Sequence, residues 1–234
     1  MIPKIIHQTA KTADIPKTWR AFQERARRLH PDWEYRLWTD DDNRTLVEER
    51  MPHLLASFLS LPLNIMRADV IRYVIMHEHG GLYFDFDYEF LKQFPYVEKD
   101  IVIPRESDDG ADAFIGNSVL ASRPGHPFWR AALQEFETSF AAIDHDPTED
   151  DILFLTGPGL LTRVYLKEFG NDPDFFTPRR AQFNPPIPRT DEQYHSLVSE
   201  GTAFGIHHCH GTWRSLSIPR RLKRKIKSLL KSKS

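Results

Sequence analysis

Apolar positions along the chain switch repeatedly between a two-residue and a helical period. Pro3-Lys4-Ile5-Ile6-His7-Gln8 reads as a short buried strand. After Ile15-Pro16-Lys17, the residues Trp19, Phe22, Ala26 and Leu29 share one face of a helix that stops near Pro31. Trp33 to Trp38 alternates in strand fashion, and Thr39 with Asp40, Asp41 and Asp42 supplies an N-cap and first-turn acids for a helix to about Arg50. Beyond Pro62 the longest helical pattern runs from Asn64 to His79 and ends at Gly80-Gly81, because glycine accepts the positive φ of a helix terminus. A strand from Leu82 to Asp87 follows at once. Ile101-Val102-Ile103 and Phe114 to Leu120 are predicted strands, while His126 to Phe140 and Gly159 to Phe169 are predicted helices. The proline-rich run Phe183 to Pro188 reads as a loop. Such alternation of strands and helices predicts an α/β fold, a Rossmann-like, largely parallel sheet flanked by helices in a single domain.

With 234 residues and 40% hydrophobic content, the chain can bury one sizeable core but hardly two. The sequence shows no apolar run long enough to cross a membrane and no secretion signal, and Cys209 is its sole cysteine, so a cytoplasmic location is expected. The net charge of −2 hides an uneven distribution. Residues 218–234 carry eight lysines and arginines and no acid, with Ile218, Leu222, Ile226, Leu229 and Leu230 at helical spacing. This tail, beyond a main domain of residues 1–217, reads as a basic amphipathic helix, with a solvated, frayed terminus as the plainer alternative. On an anionic membrane such a helix would give peripheral attachment at the inner face, whereas a nucleic-acid partner is not expected, since no aromatic residues interleave with the charges.

Asp-x-Asp occurs four times, at Asp40/Asp42, Asp85/Asp87, Asp144/Asp146 and Asp172/Asp174, so the bare motif selects nothing. Three of the four lie among turn and cap residues, where acids make local hydrogen bonds. Asp85 and Asp87 instead close an apolar strand, whose period of two would put both carboxylates on one face and Phe84 and Phe86 on the other. Two neighbouring carboxylates at a strand end call for a cation, and hard oxygen ligands favour Mn2+ or Mg2+. Ligands of open α/β sheets also sit beyond the carboxyl ends of the strands. In the preceding helix Asp69 and Arg72 share a face within an otherwise apolar segment. They form either a local ion pair or a polar grip on sugar hydroxyls or phosphate.

Ile2-Pro3-Lys4-Ile5-Ile6-His7-Gln8, Leu37-Trp38-Thr39-Asp40, Arg67-Ala68-Asp69-Val70-Ile71-Arg72-Tyr73 and Gly80-Gly81-Leu82-Tyr83-Phe84-Asp85-Phe86-Asp87 follow one another in order. Together they resemble the glycosyltransferases with a DXD sugar-binding region, the family of the yeast initiating outer-chain mannosyltransferase, inositolphosphoceramide mannosyltransferases and bacterial polysaccharide enzymes. The likeness is dense over the first 130 residues or so. It implies a GT-A fold and a retaining, metal-dependent hexosyltransferase that uses a nucleoside-diphosphate sugar, UDP-hexose or GDP-mannose, and a saccharide or lipid-linked acceptor. By the same resemblance His7, Gln8, Asp69, Arg72, Asp85, Asn117 and Trp213 would border the donor. Asp85, Asp87 and a third ligand near the C-terminus would hold the metal. Ile206-His207-His208-Cys209-His210-Gly211-Thr212-Trp213 resembles the family's closing element and favours His207, with His208 its competitor. A zinc cluster lacks cysteines, and a non-ligand histidine cluster is the plainer alternative. Gly157-Pro158-Gly159, in the turn that opens at Thr156, resembles the family's Thr-Gly-Pro turn at the acceptor side. Asp108, Asp109 and Asp112 are available acids, with no catalytic nucleophile singled out. The non-enzymatic alternative is a sugar- or membrane-binding module on the same fold.

Overall fold

The computed structural model describes residues 1–108, 114–143 and 148–210. The basic tail 218–234, Trp213, and the acids Asp109 and Asp112 lie outside the described residues. The chain alternates as the hydrophobic pattern predicts: β1 (Ile5–Thr9), α1 (Lys17–Leu29), β2 (Glu34–Trp38), α2 (Asp40–Arg50), α3 (Leu55–Ser60), α4 (Asn64–His79) and β3 (Gly81–Phe84). There follow β4 (Tyr88–Phe90), β5 (Ile101–Val102), β6 (Val119–Ser122), α5 (Pro127–Ala141), α6 (Glu149–Leu155) and α7 (Pro158–Val164). β7 (Phe175–Phe176), α8 (Arg180–Phe183), α9 (Asp191–Glu200) and β8 (Gly205–His207) complete it.

Six strands form one sheet in the order β2-β1-β3-β6-β5-β7. β1 is parallel to β2 and β3, and β5 is parallel to β7, while β6 runs against both of its neighbours. The sheet is therefore largely parallel, with one reversed strand. Its alternating side chains enter two cores: Tyr83 and Leu120 face the cluster built with α4, α5 and α7, while Ile6, Leu82, Phe84, Val119 and Ala121 face a second with Trp33 and Phe90. Each large side chain so buried contributes roughly 1.5–3 kcal/mol of hydrophobic stabilisation. α4 is buried over most of its surface, through Met66, Val70, Ile71, Tyr73, Val74, Ile75 and Met76, and two of its charged residues, Asp69 and Arg72, lie inside the protein.

Three predicted elements differ from what is observed. The strand expected to reach Asp87 stops at Phe84. The Asp85 N–H donates to Ser118 O at 2.9 Å and the Tyr88 N–H to Asp85 O at 3.0 Å, closing a turn over Phe86 and Asp87. The strand expected from Phe114 begins only at Val119, because residues 114–118 leave the ladder to reach the end of β3 and α4. The helix expected to run to Phe169 is α7 followed by a wider-coiled segment, Tyr165–Phe169. The Phe183–Pro188 loop takes over from the short α8.

Glycine makes the junction of α4 with β3 possible. Gly80 and Gly81 have φ of 62° and 85°, and a Cβ on Gly81 would lie 2.5 Å from Ile5 O. β4 and β8 form a separate antiparallel pair, with Tyr88 opposite His207 and Phe90 opposite Gly205. A Cβ at Gly205 would meet the Tyr88 ring at 2.4 Å, so only glycine lets the distant segment 205–207 lie against the stretch that follows Asp87.

Candidate metal centre and its cavity

Asp85, Asp87 and His207 each offer one ligand atom within 4.8 Å of the others. They share a cavity of about 340 Å³ with Asp69, Arg72 and Asn117. The carboxylates converge through the turn of residues 85–88 rather than through the strand pleat. Phe86, expected to point away from the acids, lines the same cavity and stacks on Trp19 at 5.5 Å and 11°.

The inner wall is a buried polar network rather than a surface ion pair. Asp69 and Arg72 are each 3% exposed. The Arg72 Nη2 lies 3.2 Å from Asp69 Oδ1, and its Nη1 lies 3.1 Å from Asp85 Oδ1 and donates to Asn117 O at 2.7 Å. Its Nε donates to Ala68 O at 3.1 Å. Asp69 further accepts from Asn117 Nδ2 at 2.9 Å and from the Thr156 hydroxyl at 3.0 Å. Burial drives the Asp69 carboxyl up to about 6, against the opposing pull of Arg72 and its hydrogen-bond donors. Asp85 is also raised by burial, again opposed by Arg72, and it accepts from the Tyr83 hydroxyl at 3.2 Å.

The outer wall is held by the side sheet. His207 Nε2 lies 3.3 Å from Asp87 Oδ1, and the His210 N–H donates to Asp87 Oδ2 at 2.8 Å. Burial works against charging His207, yet Asp87, Cys209 and Asp85 together raise it to about 11. Burial likewise works against the Asp87 carboxylate, but hydrogen bonds from His207 and His210 hold its pKa below the ordinary value. A site that concentrates negative charge this strongly, with two carboxylates and an imidazole converging, fits a divalent cation. His208 turns elsewhere: its ring stacks on Phe22 at 4.9 Å and its Nε2 meets Glu89 Oε2 at 3.0 Å. Glu89 is also bonded to Arg25 and the Tyr194 hydroxyl, both at 2.8 Å.

Two of the residues expected to border the donor lie elsewhere. His7 and Gln8 are fully buried in the sheet. His7 accepts from Trp38 Nε1 at 3.0 Å, and Gln8 bonds Phe84 O and the Tyr35 hydroxyl. On a central strand alternate residues are sealed between the two cores, and the residue of β1 that lines the cavity is its last, Thr9. Sequence reasoning missed Thr9, Glu106 and Phe114 as lining residues, and it had assigned Trp19 to a helix face without a function. An aromatic residue directly between the two acids was the available signal for Phe86. Thr156, quoted only as part of a turn, is a direct partner of Asp69.

Comparison with known proteins adds a second line of evidence. Residues 16–107 match the family described as the glycosyltransferase sugar-binding region containing a DXD motif. Inositol phosphoceramide mannosyltransferase 2 of Schizosaccharomyces pombe is 32% identical over 87% of this chain and 58% of its own length. Inositol phosphoceramide mannosyltransferase 3 of the same yeast is 38% identical over 70% of this chain and 45% of its own length. The chain thus spans about half the length of these curated relatives. Among solved structures, the PaToxG glycosyltransferase superimposes with a TM-score of 0.54 at 15% identity, over 97% of this chain and 83% of that one. The UDP-bound glycosyltransferase domain of the YGT toxin does so with 0.52 at 11% identity, over 75% and 79%. At these identities the superpositions establish a shared fold.

Proposed function

We propose that this chain, whose residues 16–107 match the glycosyltransferase sugar-binding region containing a DXD motif, is a metal-dependent hexosyltransferase. Its donor would be a nucleoside-diphosphate sugar and its acceptor a saccharide or a lipid-linked glycan. The observation that carries this reading is the convergence of Asp85, Asp87 and His207 in one cavity with the Asp69–Arg72–Asn117 network. These three residues would hold Mn2+ or Mg2+, which when bound offsets the charge of a diphosphate and of the leaving group.

In the transfer, an acceptor hydroxyl oxygen bonds to the anomeric carbon, the bond from that carbon to the diphosphate breaks, the diphosphate keeps the electron pair, and the hydroxyl proton is released. Arg72 spends Nε and both Nη groups on protein partners. Its part is therefore to fix Asp85 and Asn117, and the direct contacts to sugar hydroxyls fall to Asp69 and Asn117. Trp19 and Phe86 offer a flat apolar wall to a base or sugar ring. The relatives are named mannosyltransferases, which makes GDP-mannose the first donor to try, with UDP-hexoses beside it.

The test is release of nucleoside diphosphate from each sugar nucleotide by the purified chain. Metal-dependent release that disappears in Asp87→Ala is expected. Unchanged metal-dependent release in that variant overturns the assignment, and metal-dependent binding with no turnover for any donor and acceptor leaves a binding module instead.

A further inference from the structure

A second cavity, of about 480 Å³, adjoins the first and shares Glu106, His207 and Cys209 with it. The wall between the two is thus the proposed metal ligand and its neighbour. The far side of this cavity is built from Arg180, Asn184, Pro185, Pro186, Ile187 and Arg189. Resting on the transferase reading above, we propose that this cavity seats the acceptor and that Arg180 and Arg189 select one bearing an oxyanion beside its hydroxyls.

The two cavities treat arginine differently. In the first, Arg72 is buried and committed to Asp69, Asp85 and backbone carbonyls. In the second, Arg180 and Arg189 are exposed, and neither guanidinium forms an ion pair with another described residue. Arg180 uses Nε on Asn184 O at 3.2 Å, which fixes the side chain and leaves both Nη groups to a ligand. A guanidinium fork matches the paired oxygens of a phosphodiester or carboxylate. Asn184 supplies the complementary feature. It is 6% exposed, its Nδ2 donates to Arg105 O at 3.1 Å, and its Oδ1 has no partner among the described residues, so it is suited to receive a hydroxyl O–H. Pro185 and Pro186 fix the backbone of this wall. Glu106 is the one carboxylate among the described lining residues, and it stands on the side shared with the first cavity. The oxyanion therefore belongs at the arginine end, with the polyol directed past His207 towards the donor.

Two kinds of acceptor share this chemistry, a phosphodiester-linked polyol and a uronic acid. Isothermal titration of the full chain with glycerophosphoinositol, methyl glucuronide and neutral myo-inositol separates them, with Mn2+ and UDP or GDP present and again without nucleotide. At least one charged probe is expected to bind about tenfold or more tightly than myo-inositol. The preference should vanish in the Arg180→Gln/Arg189→Gln double variant while nucleotide affinity stays unchanged. The proposal is overturned by equal affinity for neutral and charged probes, by no binding of either charged probe, by a preference that survives in the double variant, or by loss of nucleotide binding in it, which would give the arginines to the donor. A wild-type chain that binds neither UDP nor GDP counts against the transferase reading, while the titrations without nucleotide still score the oxyanion preference.

Discussion

Asp85 and Asp87 are two residues apart, yet their surroundings push them in opposite directions. Asp85 directly follows the main-sheet strand β3 and joins the buried network of α4, where burial dominates and raises its pKa. Asp87 directly precedes the side-sheet strand β4, where hydrogen bonds from His207 and His210 outweigh burial and lower it. One acid is thus oriented from within by a buried arginine, and the other from outside by a short antiparallel pair that joins the middle of the chain to residues 205–207. A turn between β3 and β4 lets two independently packed units each bring a carboxylate to one point.

The largest effect is expected from the outer acid. Asp87→Asn keeps the shape but removes the charge, and turnover of whichever sugar nucleotide the wild-type chain uses should fall on the order of 10²–10³-fold, with the melting temperature near that of the wild type. Next comes the inner half. Arg72→Met leaves Asp69 and Asp85 without their buried cation, at a cost of about 3–5 kcal/mol, which urea denaturation would measure. If Arg72→Met and Asp87→Asn proved equally destabilising, the division into an inner structural half and an outer ligand half would be wrong.

A sharper contrast lies between the two histidines. His207→Ala should abolish saturable Mn2+ binding, followed by titration of the Mn2+ electron paramagnetic resonance signal. His208→Ala loses the contact with Glu89 and the stacking on Phe22 that steady the segment and should weaken binding about 10- to 100-fold. The reverse order would move the ligand to His208.

The smallest effect concerns Asp69. Its pKa rises from 3.8 to about 6 on folding, so between those values the native state holds more protons than the unfolded chain. Stability then falls as pH rises through that window, by at most about 1.4 kcal/mol per pH unit from this group, and is constant in this term above it. Comparing urea unfolding of wild type and Asp69→Asn across that range should show the extra downward slope in the wild type only.

Much of the inner half was legible in the sequence. Asp69 and Arg72 stand out in the sequence as charges within an otherwise apolar helical segment that ends in Gly80-Gly81 ahead of an apolar strand, which left a local ion pair or a polar grip open; the packing around α4 buries both. The outer half was legible as a C-terminal histidine cluster whose resemblance to the family's closing element favoured His207, with His208 its competitor. The register of β8 on β4 adds the geometry, setting His207 beside Asp87 and leaving His208 to Glu89 and Phe22. The burial of His7 and Gln8 away from the cavity was hidden for a related reason. Position on the first strand is visible in sequence, but which residues of a central strand are sealed under the neighbouring layers is not.

By itself, the sequence determined the order of strands and helices, the glycine junction between α4 and β3, and the identity of the acids, since these follow from hydrophobic period, backbone conformation and side-chain chemistry within short windows. The tertiary structure alone decided that β3 stops at Phe84, that Arg72 is spent on orienting Asp85, and that residues 205–210 close the site. Each of these depends on partners far apart along the chain, Ser118 for Asp85, Asn117 for Arg72 and Tyr88 for His207, and no local pattern encodes a pairing whose energy exists only once both segments have packed.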